Sequence, residues 1–341
     1  MNITSQYIVN PKSRHAYYLS LASYKSIRTT KNKLRLDEYK QVLNSKNIIF
    51  DVEGTEFKMI RCPIGKFIMG MEIERQNIIP SDGPYYEPKR MVTIKKPFLL
   101  GETEVTQGLF EKVMGFNPSY FKMSYDSNEN PVARLPKAPV EQVTWYDAVM
   151  FCNKLSKILG KRPHYNISNV VYKKNEHSEK KEELPNISEA NVTINPHANG
   201  FRLPYEKEWE YAARAGTNNR WAGTDQEETV DHFAWVEVDD IYGYGTAPSN
   251  VKQKAPNEWG FYDMTGNVKE WCWDERIRKG YSTDNFEDQN ESTEILVSKR
   301  ITKGDDSWDG LSSYSVGDHD FEDPNYIYHF LGFRVAMSSF N

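Results

Sequence analysis

Only two stretches of this 341-residue chain hold a helical rhythm over several turns; elsewhere the pattern breaks every few residues at Gly, Pro or a polar cluster. The first stretch starts at Thr144 or Asp147, either of which can cap a helix. It lines Ala148, Phe151, Cys152, Leu155, Ile158 and Leu159 along one face before Gly160 ends it. The second opens at Pro204, a residue suited to a first helical turn, turns Trp209, Ala212 and Ala213 inward, and stops at Gly216. A shorter helix is expected over Gln107–Met114, after a Thr106 cap. Short alternating runs at Asn47–Val52, Glu56–Cys62, Lys66–Met71, Met91–Ile94 and Phe98–Glu104 read as strands, divided by turns such as Gly54 and Pro63–Gly65. Lys173–Glu183 is almost all Lys and Glu, so an exposed loop or hairpin is expected there, with strands at Asn169–Tyr172 and Asn191–Ile194. Beyond Gly216 turns and aromatics dominate, and no repeat of 20–50 residues is present. The sum is an α+β chain with short strands and long, aromatic-rich loops.

The length allows two domains, or one large domain with an appendage. Residues 1–50 hold nine Lys/Arg and two Asp/Glu, a net of +7 in a chain whose total is −5. They are read as a separate, basic, mostly helical segment with Leu34, Leu36, Tyr39, Val42 and Leu43 near helical spacing, ahead of a domain at 55–340. Residues 284–323 run the other way, with twelve acids against Lys299, Arg300 and Lys303. Such asymmetry suits either a tail and an acidic face that touch each other, or two surfaces for partners of opposite charge.

Several functions are not expected. No apolar run approaches the roughly 20 residues of a membrane-spanning helix. Lys12, Arg14 and His15 precede Ala16–Tyr24, but Tyr, Ser and Lys interrupt that stretch, so no signal peptide and a cytoplasmic location are expected. Cys62, Cys152 and Cys272 stand far apart, which speaks against a disulfide framework or a cysteine-rich zinc site. Cys152 falls on an apolar helix face and reads as a buried structural thiol. No phosphate loop, GxSxG elbow or HExxH is present. Nucleic acid is not an expected partner, since only the basic arm favours it. His319 and His329 share a segment with several carboxylates, a thin candidate for a metal site. The richest local cluster is Asp263-Met-Thr-Gly-Asn-Val-Lys-Glu270, with two carboxylates and an amide side chain within eight residues. It suits a hard, oxygen-ligated cation such as calcium, or a tight turn bonded to itself.

A longer set of motifs carries a resemblance. It comprises Phe67-Ile-Met-Gly70, Glu104-Val-Thr-Gln107, Asn117-Pro-Ser119, Pro139-Val-Glu-Gln-Val-Thr-Trp145 and Gly200-Phe-Arg-Leu-Pro204 running into Glu208-Trp-Glu-Tyr-Ala-Ala-Arg214. Trp259-Gly-Phe-Tyr-Asp-Met264, Gly266-Asn-Val-Lys-Glu-Trp271, Ser307-Trp308 and Leu331-Gly-Phe-Arg334 follow in order. Together they resemble the sulfatase-modifying factor family, the formylglycine-generating enzymes and their relatives, across about residues 57–337. The resemblance implies an α+β, C-type-lectin-like fold with little regular secondary structure. It also implies calcium at Asp263 and Glu270 by side chain and at Gly266 and Val268 by carbonyl. Catalytic members resemble copper oxidases with two C-terminal cysteines that bind Cu(I), a soft pairing. Here those positions fall on Gly310 and Ser315, Asp305 and Asp306 replace two glycines, and Val316 replaces an arginine. Copper is therefore not expected, and no catalytic residue is assigned.

The expected function is a non-catalytic module that binds a protein or peptide, basic by charge, through the Tyr- and Asp-rich C-terminal segment. Asp305, Asp306, Asp309, Tyr314, His319, Tyr326 and Tyr328 are its candidate residues: Tyr gives contact area at low entropy cost, and acids favour a basic partner. Two other readings stand beside it. One is a metal-dependent oxidoreductase of the same family acting on a cysteine or thiol substrate. The other is a ligand-display protein diversified by a retroelement, since such proteins favour Asn, Asp, Ser, Tyr and His in the corresponding stretch.

Overall fold

The computed structural model describes residues 7–9, 47–70, 88–125, 130–174, 183–235, 247–281, 294–305 and 315–338. Its frame is a six-stranded sheet built from β1 (Tyr7–Val9), β2 (Asn47–Val52), β3 (Thr55–Cys62), β6 (Phe98–Gly101), β16 (Ala336–Ser338) and β11 (Phe201–Arg202), paired in that order. The hairpin β4 (Gly65–Met69) and β5 (Arg90–Ile94) lies beside it. Another joins β7 (Met123–Tyr125) to β8 (Pro131–Arg134). A second, four-stranded sheet has the order β14 (Asp320–Glu322), β13 (Glu294–Lys303), β12 (Lys269–Tyr281), β15 (Leu331–Gly332).

Successive strand residues point to opposite faces, and in the central strands of the larger sheet both faces are buried. Met59, Leu99 and Met337 face one core with Phe110, Phe151 and Phe333. Their neighbours Ile60, Leu100 and Ala336 face another with Trp209, Phe261, Cys272 and Ile301. The first core is covered by helices α1 (Gln107–Met114) and α2 (Trp145–Ile158), the second by α3 (Glu206–Arg214) and the smaller sheet.

Where local chemistry dictates structure, expectation and structure agree. Thr106 caps α1 by accepting from the Leu109 amide. Thr144 caps α2 through a reciprocal box, its hydroxyl accepting from the Asp147 amide while Asp147 Oδ2 accepts from the Thr144 amide. Cys152 is buried on that helix. The first three strand runs match β2, β3 and β4 to within about two residues.

Three elements differ. The second helix starts at Glu206, two residues after Pro204. Glu208 pairs with Arg202 at 2.6 Å and accepts the Tyr205 amide at 3.0 Å, which sets the helix start. In the segment expected to be mostly helical, Tyr7–Val9 is a strand parallel to β2; residues 10–46, with the expected helix at 34–43, lie outside the described residues. Beyond Gly216, where few long periodic segments were expected, β12 and β13 form a long antiparallel hairpin.

The Lys/Glu run does join two strands, β9 (Tyr165–Lys174) and β10 (Glu183–Ile194), longer than expected, and its tip at 175–182 lies outside the described residues. Fully buried Asp147 anchors the hairpin to α2. Its Oδ1 accepts the Ile187 amide at 2.8 Å, and its Oδ2 accepts Asn186 Nδ2 at 2.8 Å. Asp147→Ala orphans the Thr144 and Ile187 amides and removes the carboxylate half of the capping box, while the Thr144 hydroxyl keeps the amide of residue 147. Its expected cost is about 3 kcal/mol, from donors worth ~1 kcal/mol or more each, read as a lower midpoint in urea unfolding.

Candidate functional site

The loop that leads into β12 converges on one buried cation. Arg334, wholly inaccessible, follows β15 in the Leu-Gly-Phe-Arg motif. Its Nε lies 2.9 and 2.7 Å from the two oxygens of Glu270, and its Nη2 donates to Oε1 at 2.6 Å. The remaining donors reach main-chain carbonyls: Gly101 at 3.2 Å at the end of β6, and Tyr262 and Asp263 at 3.1 and 3.2 Å. Glu270 also accepts the Trp209 indole from α3 at 2.8 Å. One ion pair therefore ties both sheets, a helix and a loop. Gly266 makes the loop possible: φ is +78°, and a Cβ there would lie 1.8 Å from the Trp235 carbonyl oxygen.

Two more buried carboxylates flank the pair. Glu104 Oε1 accepts Asn267 Nδ2 at 3.1 Å, and Asp263 Oδ2 accepts the Lys252 amide at 2.9 Å. Their other oxygens, Glu104 Oε2 and Asp263 Oδ1, are buried without a hydrogen-bond partner. Burial first, and the charge of Asp263 next, hold Glu104 well above the usual carboxylate range. Burial, with Glu270 adding to it, pushes Asp263 up to about 6 against the Lys252 amide and Arg334.

The four positions that the resemblance assigns to calcium thus fit it unequally. Asp263 has an open oxygen, whereas both oxygens of Glu270 are engaged by Arg334 and Trp209. Among the described residues no three His, Cys, Asp or Glu side chains converge tightly enough to hold a metal.

The C-terminal candidates divide as well. Asp306, Asp309 and Tyr314 lie outside the described residues, as does Gly310. Asp305 follows β13 in a left-handed conformation. His319 is buried, with Nδ1 3.1 Å from Glu206 Oε1. It is separate from His329, which sits in an aromatic cluster, so the two histidines do not share a site. Ser315, at the second cysteine position, is a buried turn residue whose hydroxyl accepts the Gly317 amide. Among the described acids of this stretch, Asp320 pairs with Lys269 at 3.1 Å, Asp323 faces Lys299 at 4.0 Å, and Asp318 is buried. The three cysteines are buried and free, and burial pushes every thiol up, away from the reactive thiolate.

Tyr326 and Tyr328 do come together. Their rings stack with centroids 6.2 Å apart, and Tyr328 lies 4.5 Å from His329. His329 in turn lies 5.8 Å from Tyr120, which is 69% exposed. Tyr120 extends the face beyond the residues singled out from the sequence, and His329, read there as a thin metal candidate, joins it. The signal for Tyr120 was an aromatic residue directly after the Asn117-Pro-Ser119 motif.

The two-sheet α+β frame and the motifs gathered around the Arg334–Glu270 pair are those of a sulfatase-modifying factor type of domain. The chain belongs to that family: residues 48–339 match the sulfatase-modifying factor enzyme 1-like domain. Among proteins to which it is similar is the chaperone protein LppX of Paenibacillus barcinonensis, 37% identical over 193 residues, or 52% of this chain and 62% of that one. Another is a formylglycine-generating enzyme of Streptomyces coelicolor, 28% identical over 232 residues, covering 63% and 68%. The matched part therefore spans about two thirds, or less, of these relatives. Treponema denticola variable protein 1 is similar in structure, with a TM-score of 0.63 and 31% identity over 86% of this chain and 99% of that one.

Replacing Glu270 by Ala leaves a guanidinium buried without its partner. We expect a loss of about 3–5 kcal/mol, seen in chemical denaturation, with a smaller loss for Glu270→Gln.

Proposed function

We propose that this domain binds a protein or peptide, without redox catalysis, through the aromatic face formed by Tyr326, Tyr328, His329 and Tyr120. The observation that carries the reading is the contiguous ladder of these four rings, with Tyr120 and Tyr326 (40% exposed) open to solvent. Tyr combines a rigid, large contact area with a polar tip, the chemistry of adaptable recognition surfaces. The name of LppX as a chaperone supports a protein partner, and that of the Treponema variable protein is in keeping with the display reading. Asp320 pairs with Lys269 and Asp323 faces Lys299, so the rings rather than these two acids carry the reading. Against catalysis stand Gly310 and Ser315, neither of which offers a soft donor for Cu(I).

The test has two arms. Peptides selected from a displayed library against the full chain should lose at least about tenfold in affinity, ~1.4 kcal/mol, with Tyr326→Ala/Tyr328→Ala. Circular dichroism should remain that of the folded chain, with at most a modest fall in melting temperature from the half-buried Tyr328. Retained affinity places the binding face elsewhere. In the second arm the chain is loaded with Cu(I) and given oxygen and a cysteine peptide. We expect no aldehyde by mass spectrometry beside an active formylglycine-generating enzyme. Conversion would overturn the non-catalytic reading in favour of a metal-dependent oxidoreductase.

We also propose calcium as a structural cation of the Asp263–Glu270 loop. The open oxygens of Asp263 and Glu104 support it, together with a local excess of buried carboxylate over Arg334. Calcium should raise the melting temperature relative to chelator, because a ligand of the native state alone stabilises it. Asp263→Ala should abolish that rise. An unmutated chain indifferent to calcium would refute the proposal.

A further inference from the structure

The aromatic face stands on a bracket made by two adjacent residues. Glu141 is completely buried. Its Oε2 accepts the Tyr120 amide at 3.0 Å, and its Oε1 accepts the Phe121 amide at 2.8 Å. The next residue, Gln142, donates its amide to the Tyr328 carbonyl at 3.1 Å from a left-handed conformation, φ 59°. Both halves of the face thus hang from residues 141–142.

The turn that displays Tyr120 has little main-chain support of its own. Asn117 Oδ1 accepts the Ser119 amide at 3.0 Å, Gln107 Nε2 donates to the Phe121 carbonyl at 2.8 Å, and the Glu141 carboxylate holds the two central amides. Among these side chains only Glu141 can change charge.

We propose that Glu141 is a proton-operated latch for Tyr120. As a carboxylate it holds one turn amide on each oxygen; on taking a proton it gives one of them up and frees Tyr120 to leave His329 and Tyr328. The chemistry is simple. A protonated carboxyl keeps one good acceptor and turns the other oxygen into a donor, which then opposes an N–H instead of receiving it. Both amides cannot stay bonded, and a buried amide without an acceptor costs about 1–3 kcal/mol, so the turn shifts.

The surroundings place the event near neutrality. Burial pushes Glu141 up to about 7, held back by the Tyr120 and Phe121 amides, Lys122 and Ser119. Besides Lys122 and the phenols of Tyr120 and Tyr328, His329 faces this turn; its ring lies 5.9 Å from that of Phe121, and burial keeps it below its ordinary value. His329 is therefore neutral where Glu141 titrates. The latch is closed above about pH 7 and open below it. Since the folded-state value is raised, the native chain takes up this proton more readily than the unfolded one, and the contribution of Glu141 to stability falls as pH rises from the ordinary glutamate range to about 7. The latch itself is independent of the binding reading; only what it would regulate rests on it.

The experiment needs no ligand. The full chain, labelled with ¹⁵N at Tyr and Phe and with ¹³C at the Glu carboxyls, is titrated from pH 5.5 to 8.5 by NMR. Phe121→Leu and Tyr120→Phe assign the two amides, and Glu141→Gln assigns the carboxyl. We expect both amide protons and one Glu carboxyl to move together with a midpoint near 7, and Glu141→Gln to flatten both amide curves. Amides that stay flat in the unmutated chain, or a carboxyl that titrates at an ordinary value, would overturn the proposal. So would amide curves that persist in Glu141→Gln. The unmutated titration decides the matter even if the variant fails to fold. Loss of the latch with peptide binding intact, or the reverse, separates the two readings.

Discussion

The Arg334–Glu270 pair is the interaction on which the rest of this structure depends. Its desolvation cost is large, and such a pair is tolerated only when every donor and acceptor finds a partner. Here the guanidinium is met by carbonyls from Gly101, Tyr262 and Asp263 as well as by the carboxylate, and the carboxylate also by Trp209. The sheets, α3 and the Gly266 loop meet at this point because no other arrangement serves all of those groups. A frame so determined by polar geometry does not require long regular elements, which explains how a chain whose described residues hold three α-helices and many brief strands stays closed.

Within that frame Ser315 has a local task, its hydroxyl accepting the Gly317 amide in a turn. The groups that close the domain, Arg334, Glu270 and Trp209, lie elsewhere in the sequence and are met by one another and by main-chain carbonyls. The residues that hold such a fold together are not the ones that would carry its chemistry, so family membership alone does not assign an activity.

What the sequence disclosed followed the range of each force. Caps at Thr106 and Thr144 act over three residues and were legible, as were the strand runs around Gly54 and Pro63. The start of α3 was displaced because a buried Arg202–Glu208 pair, not proline preference, sets it. The β12–β13 hairpin was not visible, since its pairing is made by residues far apart in the chain. Counting acids along the chain could not show that Lys269 stands beside Asp320. The family motifs pointed to Asp263 and Glu270, but the role of Arg334 as the occupant of Glu270 needed coordinates. Tyr326 and Tyr328 were singled out by composition, whereas Tyr120 and the Glu141 beneath it were not, because a carboxylate two strands away leaves no local trace.

The burial of both faces of the central strands has a consequence for how the chain finds its register. In a one-sided sheet, a slip of one residue exposes apolar side chains to water and is punished at once. Here a slip of β3 would exchange Met59 and Ile60 between two cores, each apolar enough to accept either. That pair alone cannot proofread the error. The proofreading falls to the charged residues on either side of it, Lys58 and Arg61, to the pairing of Glu102 with Lys58 and Lys252, and to the carbonyls that Arg334 must reach, so the polar contacts that close the domain also certify the alignment of its strands.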